Sequence, residues 1–249
     1  MAGEDVRKQA ERVEEEALTL ERQVIGRDKR LAGLVRVTSS ETIGSSLIAP
    51  CFGALHLQHP DTMIELLPNL RELSLSMREA DIAVRIHQPE QHDLVVRRIG
   101  TVAFGLYASP DYLERHGELD FSGGLSGHHL ITQLEGIQDA TQTDWLAELA
   151  PRAAISLQTS SHAAAMAAAL HGGGLASLTR YRADREDGLV RIEVPPLPSP
   201  IPAAALWLVV HKDNRETPRI RVALDHITKW VKNESQNLNP IYSIDQSSA

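Results

Sequence analysis

Between Leu34 and Ile86 the chain alternates short β-branched runs with helix-periodic ones, and that alternation restricts its fold more than any other feature. "LVRVTSS" (34–40) alternates apolar and polar residues as a half-buried strand does. A helix is predicted from Thr42 to His59, ended by Pro60. "TMIELLP" (62–68) reads as a second strand and "LRELSLSMREA" (70–80) as a helix with leucines at 70, 73 and 75. "DIAVRI" (81–86) is nearly all apolar, as a strand in a parallel sheet covered on both faces should be. Strand–helix–strand–helix–strand is the pattern of a doubly wound α/β unit.

The pattern then recurs. "TVAFGLYAS" (101–109) is a strand, "PDYLERHG" (110–117) a short helix closed by Gly117, and "HHLITQL" (128–134) a strand. "TDWLAELA" (143–150) suits strand or helix, and its periodicity does not decide. "AAISLQTS" (153–160), "HAAAMAAALHGG" (162–173) and "GLASLT" (174–179) read as strand, helix and strand. "LVRIEVPPLPSPIP" (189–202) is a strand running into a proline-rich crossing. "AALWLVVH" (204–211) is a returning strand and "PRIRVALDHITKWVKN" (218–233) a last helix. Two α/β units with a strand and helix left over imply a chain that crosses twice between subdomains. Subdomain I is expected at 31–101 and 204–232, subdomain II at 102–203, and a polar, disordered tail at 233–249.

Ahead of these units lies "VRKQAERVEEEALTLERQV". Val6, Ala10, Val13, Ala17, Leu20 and Val24 fall at intervals of 4, 3, 4, 3 and 4, the seam of a coiled coil. A helix over about residues 4–25, stopped by Gly26, would be roughly 30 Å long. Residues 1–30 are therefore expected to be a dimerisation helix.

With 25 basic and 33 acidic residues the net charge is −8, and no basic stretch stands out that would bind nucleic acid unaided. The single cysteine, Cys51, excludes internal disulfides. Its setting, "LIAPCFGAL", suits a buried structural thiol, with a redox sensor as the alternative. No signal peptide and no run of about 18 apolar residues is visible, so a soluble cytoplasmic protein with no membrane partner is expected.

Two serine-rich turns are the candidate chemistry. "VTSSETIG" and "QTSSHAAA" each leave a strand and open a helix. Serines there cap the free N–H groups of the first helical turn. The same junction offers N–H donors and a positive dipole end to an anion, and in open α/β sheets ligands sit beyond the carboxyl ends of strands. Ser39, Ser40 and the Glu41 backbone on one side, with Ser160 and Ser161 on the other, are the candidate effector-binding residues. Arg85 ends a strand on the same carboxyl side and would pair with either a ligand carboxylate or a neighbouring acid. Asp81, just before that strand, is expected to hold a local loop.

No metal or cofactor is expected. His128 and His129 are adjacent and point to opposite faces, and His162 and His171 are nine apart. His56 and His59 share a helical spacing but lack a thiolate or carboxylate to complete a site. "HGGGLA" follows a helix and lacks the phosphate-loop lysine, so helix termination explains it better. No GxSxG, HExxH, CxxC or GxGxxG occurs, and no catalytic residue is assigned.

Taken in order, several stretches resemble the regulatory half of LysR-type transcriptional regulators. "AGEDVRKQAERVEEEALTLERQVIGRDKRLAGLVRVTSSETIG" resembles the family's linker helix running into the first strand of its effector domain. "HPDTMIELLPNLRELSLSMREADIAVR" is similar to the next helix end, strand, helix and strand, and "LYASPDYLERHG" to the segment that opens the second subdomain. "LWLVVHKDNRETPRIRVALDHI" resembles the returning strand and final helix. The likeness covers about residues 2–232. It departs at Thr179, where the family often has proline, and at "LPNLRE" before the second helix.

The resemblance implies two Rossmann-like subdomains, as in type 2 periplasmic binding proteins, behind a long linker helix, with a small-molecule inducer between them. It implies a homodimer or homotetramer, and DNA contact only through a winged helix-turn-helix that would precede Met1. On that expectation the sequence is a shortened product or has a displaced start. Three rivals remain: a solute-binding protein, which would need an export signal; an enzyme on a similar frame, which would need a catalytic constellation; and a headless partner that forms mixed dimers with a full-length relative.

Overall fold

The computed structural model describes residues 32–68, 74–89, 93–134, 140–198 and 201–239. The expected coiled-coil seam, Val6 to Val24, lies outside them. The chain divides into two compact units. One runs to Ile99 and takes in Leu206–Lys232; the other comprises Gly100–Ala205 and the residues from Asn233 onward. The chain thus passes between units within two strands, at Ile99 and Ala205, and once more after Lys232.

Unit 1 opens with β1 (Gly33–Ser39), whose Val35 and Val37 are fully buried while Arg36 stays outside. A helix follows in three pieces: α1 (Glu41–Ile43), a π-helical turn (Gly44–Ile48) and α2 (Ala49–Gln58). The wider turn closes with the Ala49 N–H donating to the Gly44 carbonyl, five residues back. Leu47, Ile48, Cys51 and Leu55 are buried. β2 (Thr62–Pro68) pairs parallel with β1, as does β3 (Ile82–Arg85) on its other side. Every residue of β3 is buried: the apolar Ile82, Ala83 and Val84, and Arg85 at its end. β3 pairs antiparallel with the returning strand β9 (Ala203–His211).

Helix α7 (Pro218–Asn233) lays Ile220, Ala223, Ile227 and Val231 into the core at helical spacing, with charged residues outward. His226 Nε2 donates to the Cys51 carbonyl at 3.0 Å and ties this helix to α2.

One expected helix is corrected. Residues 74–80 form turns, not the continuation of a helix from Leu70. The Ser74 N–H donates to a Glu79 carboxylate oxygen (2.7 Å) and the Met77 N–H to the Ser74 hydroxyl (3.1 Å), while Arg78 takes a positive φ of 58°. Side chains that satisfy nearby backbone N–H groups compete with the helical ladder. Leu75 still reaches a buried cluster with Ala80, Ala83 and Val209.

Unit 2 is a mixed sheet. β4 (Leu94–Ala108) starts in unit 1 and is much longer than the expected strand at 101–109. It pairs antiparallel with β7 (Leu175–Thr179) and β8 (Val190–Ile192). β7 pairs parallel with β5 (His129–Gln133), and β5 with β6 (Ala154–Thr159), where the register shifts after Leu130. Ser109 leaves the strand and caps α3 (Pro110–His116), accepting from the Tyr112 N–H.

Side chains alternate across this sheet. One face buries Leu106, Leu130 and Leu175 against Trp145, Leu146 and Leu149 of α4 (Ala140–Leu149). That apolar spacing settles the ambiguous segment as helix. The other face buries Tyr107, Ile131, Ala176 and Leu178 under Ala165 and Ala169 of α5 (His162–Leu170). Gly172 ends α5 at φ 74°, and a Cβ on Gly174 (φ 146°) would stand 2.7 Å from the His129 carbonyl, so this glycine run serves helix termination and close strand packing.

The expectation of a disordered tail from Asn233 is corrected as far as Asn239. α8 (Ser235–Leu238) buries Leu238 completely, and Arg185, stacked on the Tyr181 ring, reaches Glu234 at 3.3 Å. Helix α8, which follows α7 and is tied to Tyr181 of α6 (Arg180–Ala183) through Glu234 and Arg185, therefore has an apolar anchor that the polar composition hides.

Candidate functional site

In unit 1 the carboxyl ends of three parallel strands come into register, with Ser39 paired to both Pro68 and Val84. Ser39 is fully buried and its hydroxyl donates to the Ser40 carbonyl at 3.1 Å. The helix start is held close above it. A Cβ on Gly44 would lie 2.5 Å from Ser39 Oγ and 3.1 Å from Pro68 Cβ, so this position has room only for glycine.

Ser40 is the N-cap residue, in extended conformation, and its carbonyl accepts the Gly44 N–H at 2.8 Å. Its side chain makes no capping bond, contrary to the expectation that both serine turns cap their helices. Glu41 begins the first turn and has an interaction of its own.

Arg85 falls on the other face of the sheet. Ser39 pairs with Val84, so the next residue of β3 points away from Ser39, on the side of Thr38 and Ala83. It is buried and already engaged within the protein. Asp81 holds the loop before β3 onto β1: its carboxylate accepts the Arg36 N–H at 2.9 Å, and its own N–H donates to the Arg36 carbonyl at 2.8 Å. Burial pushes its carboxyl above the usual range, against the opposing pull of the Arg36 N–H and nearby arginines.

In unit 2 the matching edge is formed by β5 and β6, where Gln133 pairs with Thr159. The Ser161 N–H donates to Thr159 Oγ1 at 3.1 Å, and Ser161 Oγ accepts the Ala164 N–H at 3.2 Å. Ser161 thus caps α5, as expected, while Ser160 is half-buried at the bend before it.

Gln133, unremarked in the sequence, and His162, considered there only as a metal ligand, lie beside this cap. Gln133 Nε2 sits 2.8 Å from Nδ1 of His162, the first residue of α5. Gln133 Oε1 is buried without a hydrogen-bond partner among the described residues, as are Thr132 Oγ1 and Ser177 Oγ on the opposite face. A signal was present: an amide at the end of "HLITQ", in phase with the apolar Ile131, marks a buried polar side chain.

The rings of His128 and His129 both lie near the His116 ring, with centroids 6.2 and 5.5 Å from it. His128 Nε2 lies 3.2 Å from the Glu118 carbonyl, and its Nδ1 faces the Tyr112 hydroxyl at 3.4 Å. The same hydroxyl accepts the His129 N–H at 2.8 Å. Among the described residues no group of three or more histidine, cysteine or acidic side chains is placed to hold a metal, and no helix is long and apolar enough to cross a membrane.

Residues 28–232 match the family described as the LysR substrate binding domain. The chain belongs to that family. A stretch of 86 residues is 35% identical to an HTH-type transcriptional regulator of Xanthomonas campestris pv. campestris (strain 8004), covering 34% of this chain and 25% of that protein. A stretch of 124 residues is 26% identical to the HTH-type transcriptional regulator CrgA of Neisseria meningitidis serogroup C (strain 8013), covering 50% of this chain and 42% of CrgA. The matches thus span less than half the length of these relatives.

Among solved structures, the CrgA regulatory domain from Neisseria meningitidis superposes with a TM-score of 0.67 at 22% identity, covering 80% of this chain and 98% of that one. The full-length Vibrio cholerae virulence activator AphB gives 0.66 at 20% identity, covering 92% and 79%. At such identities the likeness is one of fold. It is the mixed α/β, type 2 periplasmic-binding-protein-like fold of LysR regulatory domains, and these likenesses are to transcriptional regulators, not to enzymes.

Proposed function

We propose that this LysR effector-binding domain senses a small organic anion. Ser39, Ser40, the Glu41 backbone, Ser160 and Ser161 are the proposed contacts. Transcription would be controlled through a DNA-binding domain outside this sequence, and residues 1–30 would pair the chain with its twin as a homodimer or homotetramer. The observation that carries the reading is the repeated junction at the carboxyl edge of each unit's parallel strands, where a serine pair opens a helix. Such edges supply N–H donors and a positive dipole end. Arg85 ends β3 turned from Ser39 and in phase with Ser40, and is a weaker third candidate through a charge-assisted contact.

Calorimetric titration with a panel of small carboxylates tests the reading on the wild type and on Ser40→Ala. Losing a hydrogen bond to a charged ligand group costs roughly 1.5–3 kcal/mol, about 10- to 150-fold in affinity. Ser40 is the discriminating position because its hydroxyl makes no capping bond. Saturable binding weakened by that factor supports the anion site. An unaltered affinity in Ser40→Ala, or no saturable heat with any carboxylate, refutes it.

A further inference from the structure

Gln133 closes β5 and is 9% exposed, with its side chain on the face that α5 covers. Its amide nitrogen lies 2.8 Å from His162 Nδ1 at the first residue of that helix. An amide nitrogen only donates, so Nδ1 accepts and the neutral imidazole carries its proton on Nε2. The amide oxygen, Oε1, then has no donor among the described residues. Its neighbours are committed elsewhere: the Ser161 N–H goes to Thr159 Oγ1, and the Ala164 N–H to Ser161 Oγ. A buried acceptor without a donor is expensive, and native proteins rarely leave one unless something else fills the role.

We propose that unit 2 recognises a small carboxylate that also carries a hydrogen-bond donor, a hydroxy or amino acid, through Gln133 Oε1 beside the start of α5. The inference rests on the anion reading above and adds to it the ligand's second group. The carboxylate takes the positive end of α5. The donor, on an adjacent carbon, reaches Oε1, which the amide's contact with His162 keeps at the helix start. Gln133 is thus a specificity-determining residue: an acid lacking the donor leaves the buried oxygen unpaired, and the site rejects it for that reason.

Three acids of one size test this: butyrate, 2-hydroxybutyrate and 2-oxobutyrate, titrated calorimetrically into the full chain and into Gln133→Met. Satisfying the orphan acceptor is worth about 5- to 150-fold in affinity. The expected result is 2-hydroxybutyrate bound more tightly than butyrate by that factor, with the preference abolished in Gln133→Met. Should the variant fail to fold, the wild-type ranking and the His162 tautomer decide, the latter read from imidazole ¹⁵N shifts as Nε2–H.

Equal binding of butyrate and 2-hydroxybutyrate overturns this inference and leaves the anion site standing. Preference for 2-oxobutyrate overturns it too, because that ranking belongs to an amide turned the other way, with its amino group orphaned. Binding of none of the three while other carboxylates bind also overturns it. Failure of every carboxylate removes the anion reading itself.

Discussion

The two serine turns look alike in sequence and differ in the structure, and that difference is measurable. Ser161 Oγ accepts the Ala164 N–H at 3.2 Å, whereas Ser40 makes no side-chain cap. Replacing a working N-cap serine by alanine costs about 1 kcal/mol, and a side chain outside any such feature costs within about 0.5 kcal/mol. With a urea m-value of about 2 kcal/mol/M, Ser161→Ala moves the unfolding midpoint of unit 2 down by about 0.5 M. Ser40→Ala leaves the midpoint of unit 1 nearly in place.

The tryptophans make the assay specific to each unit: Trp145 is buried in unit 2, while Trp207 and Trp230 belong to unit 1. A Trp207→Phe, Trp230→Phe background reports unit 2 by fluorescence, and Trp145→Phe reports unit 1. Equal shifts at the two serines, or none at Ser161, would refute the capping argument. The proposed anion site places Ser161 at a carboxylate as well as at its helix cap. Ser161→Ala should then lose both stability and carboxylate affinity, and Ser40→Ala affinity alone.

Burial pushes the Cys51 thiol from 9.0 up to about 12, so the folded state holds the proton and the unfolded state releases it first. Stability from this group is fully present below pH 9 and falls by about 1.4 kcal/mol per pH unit between pH 9 and about 12. Denaturation of wild type and Cys51→Ala at pH 8 and pH 10 checks the slope, and rapid labelling of the native thiol at pH 8 would contradict the burial. Ending the chain after Asn233 removes the fully buried Leu238, which should cost unit 2 about 1.5–3 kcal/mol in urea denaturation; an unchanged midpoint would make α8 an ornament. Deleting residues 1–30 should lower the particle mass measured by light scattering, since alanines at 10 and 17 make the proposed seam weak alone but useful in a dimer. An unchanged mass rules out assembly through that segment.

Most strands were legible because their ends carry chemistry of their own. β2 matches "TMIELLP" residue for residue, and α3 lies between Ser109, which caps it, and Gly117, whose φ of 78° ends it. The errors fall where side chains decide against periodicity. Leucines at 70, 73 and 75 promise a helix, yet Ser74 and Glu79 satisfy nearby N–H groups and turn the chain. The segment at 143–150 was ambiguous until the packing of Trp145, Leu146 and Leu149 against one sheet face required a helix. In the tail, a single buried leucine outweighs a polar composition.

The candidate site was legible in kind but not in register. Strand-to-helix junctions with paired serines are visible in one dimension, because caps and dipoles are local. Which face a side chain takes depends on strand pairing, which the sequence does not print. Arg85 ends its strand on the right edge, but its pairing one residue beyond Val84 sends it away from Ser39. Gln133 shows the converse. It reads as the polar end of a strand until its phase with Ile131 places it under α5, where its amide has one partner and wants another. An unmet hydrogen bond is a property of three dimensions, so the residue best suited to choose a ligand is the one that sequence inspection passed over.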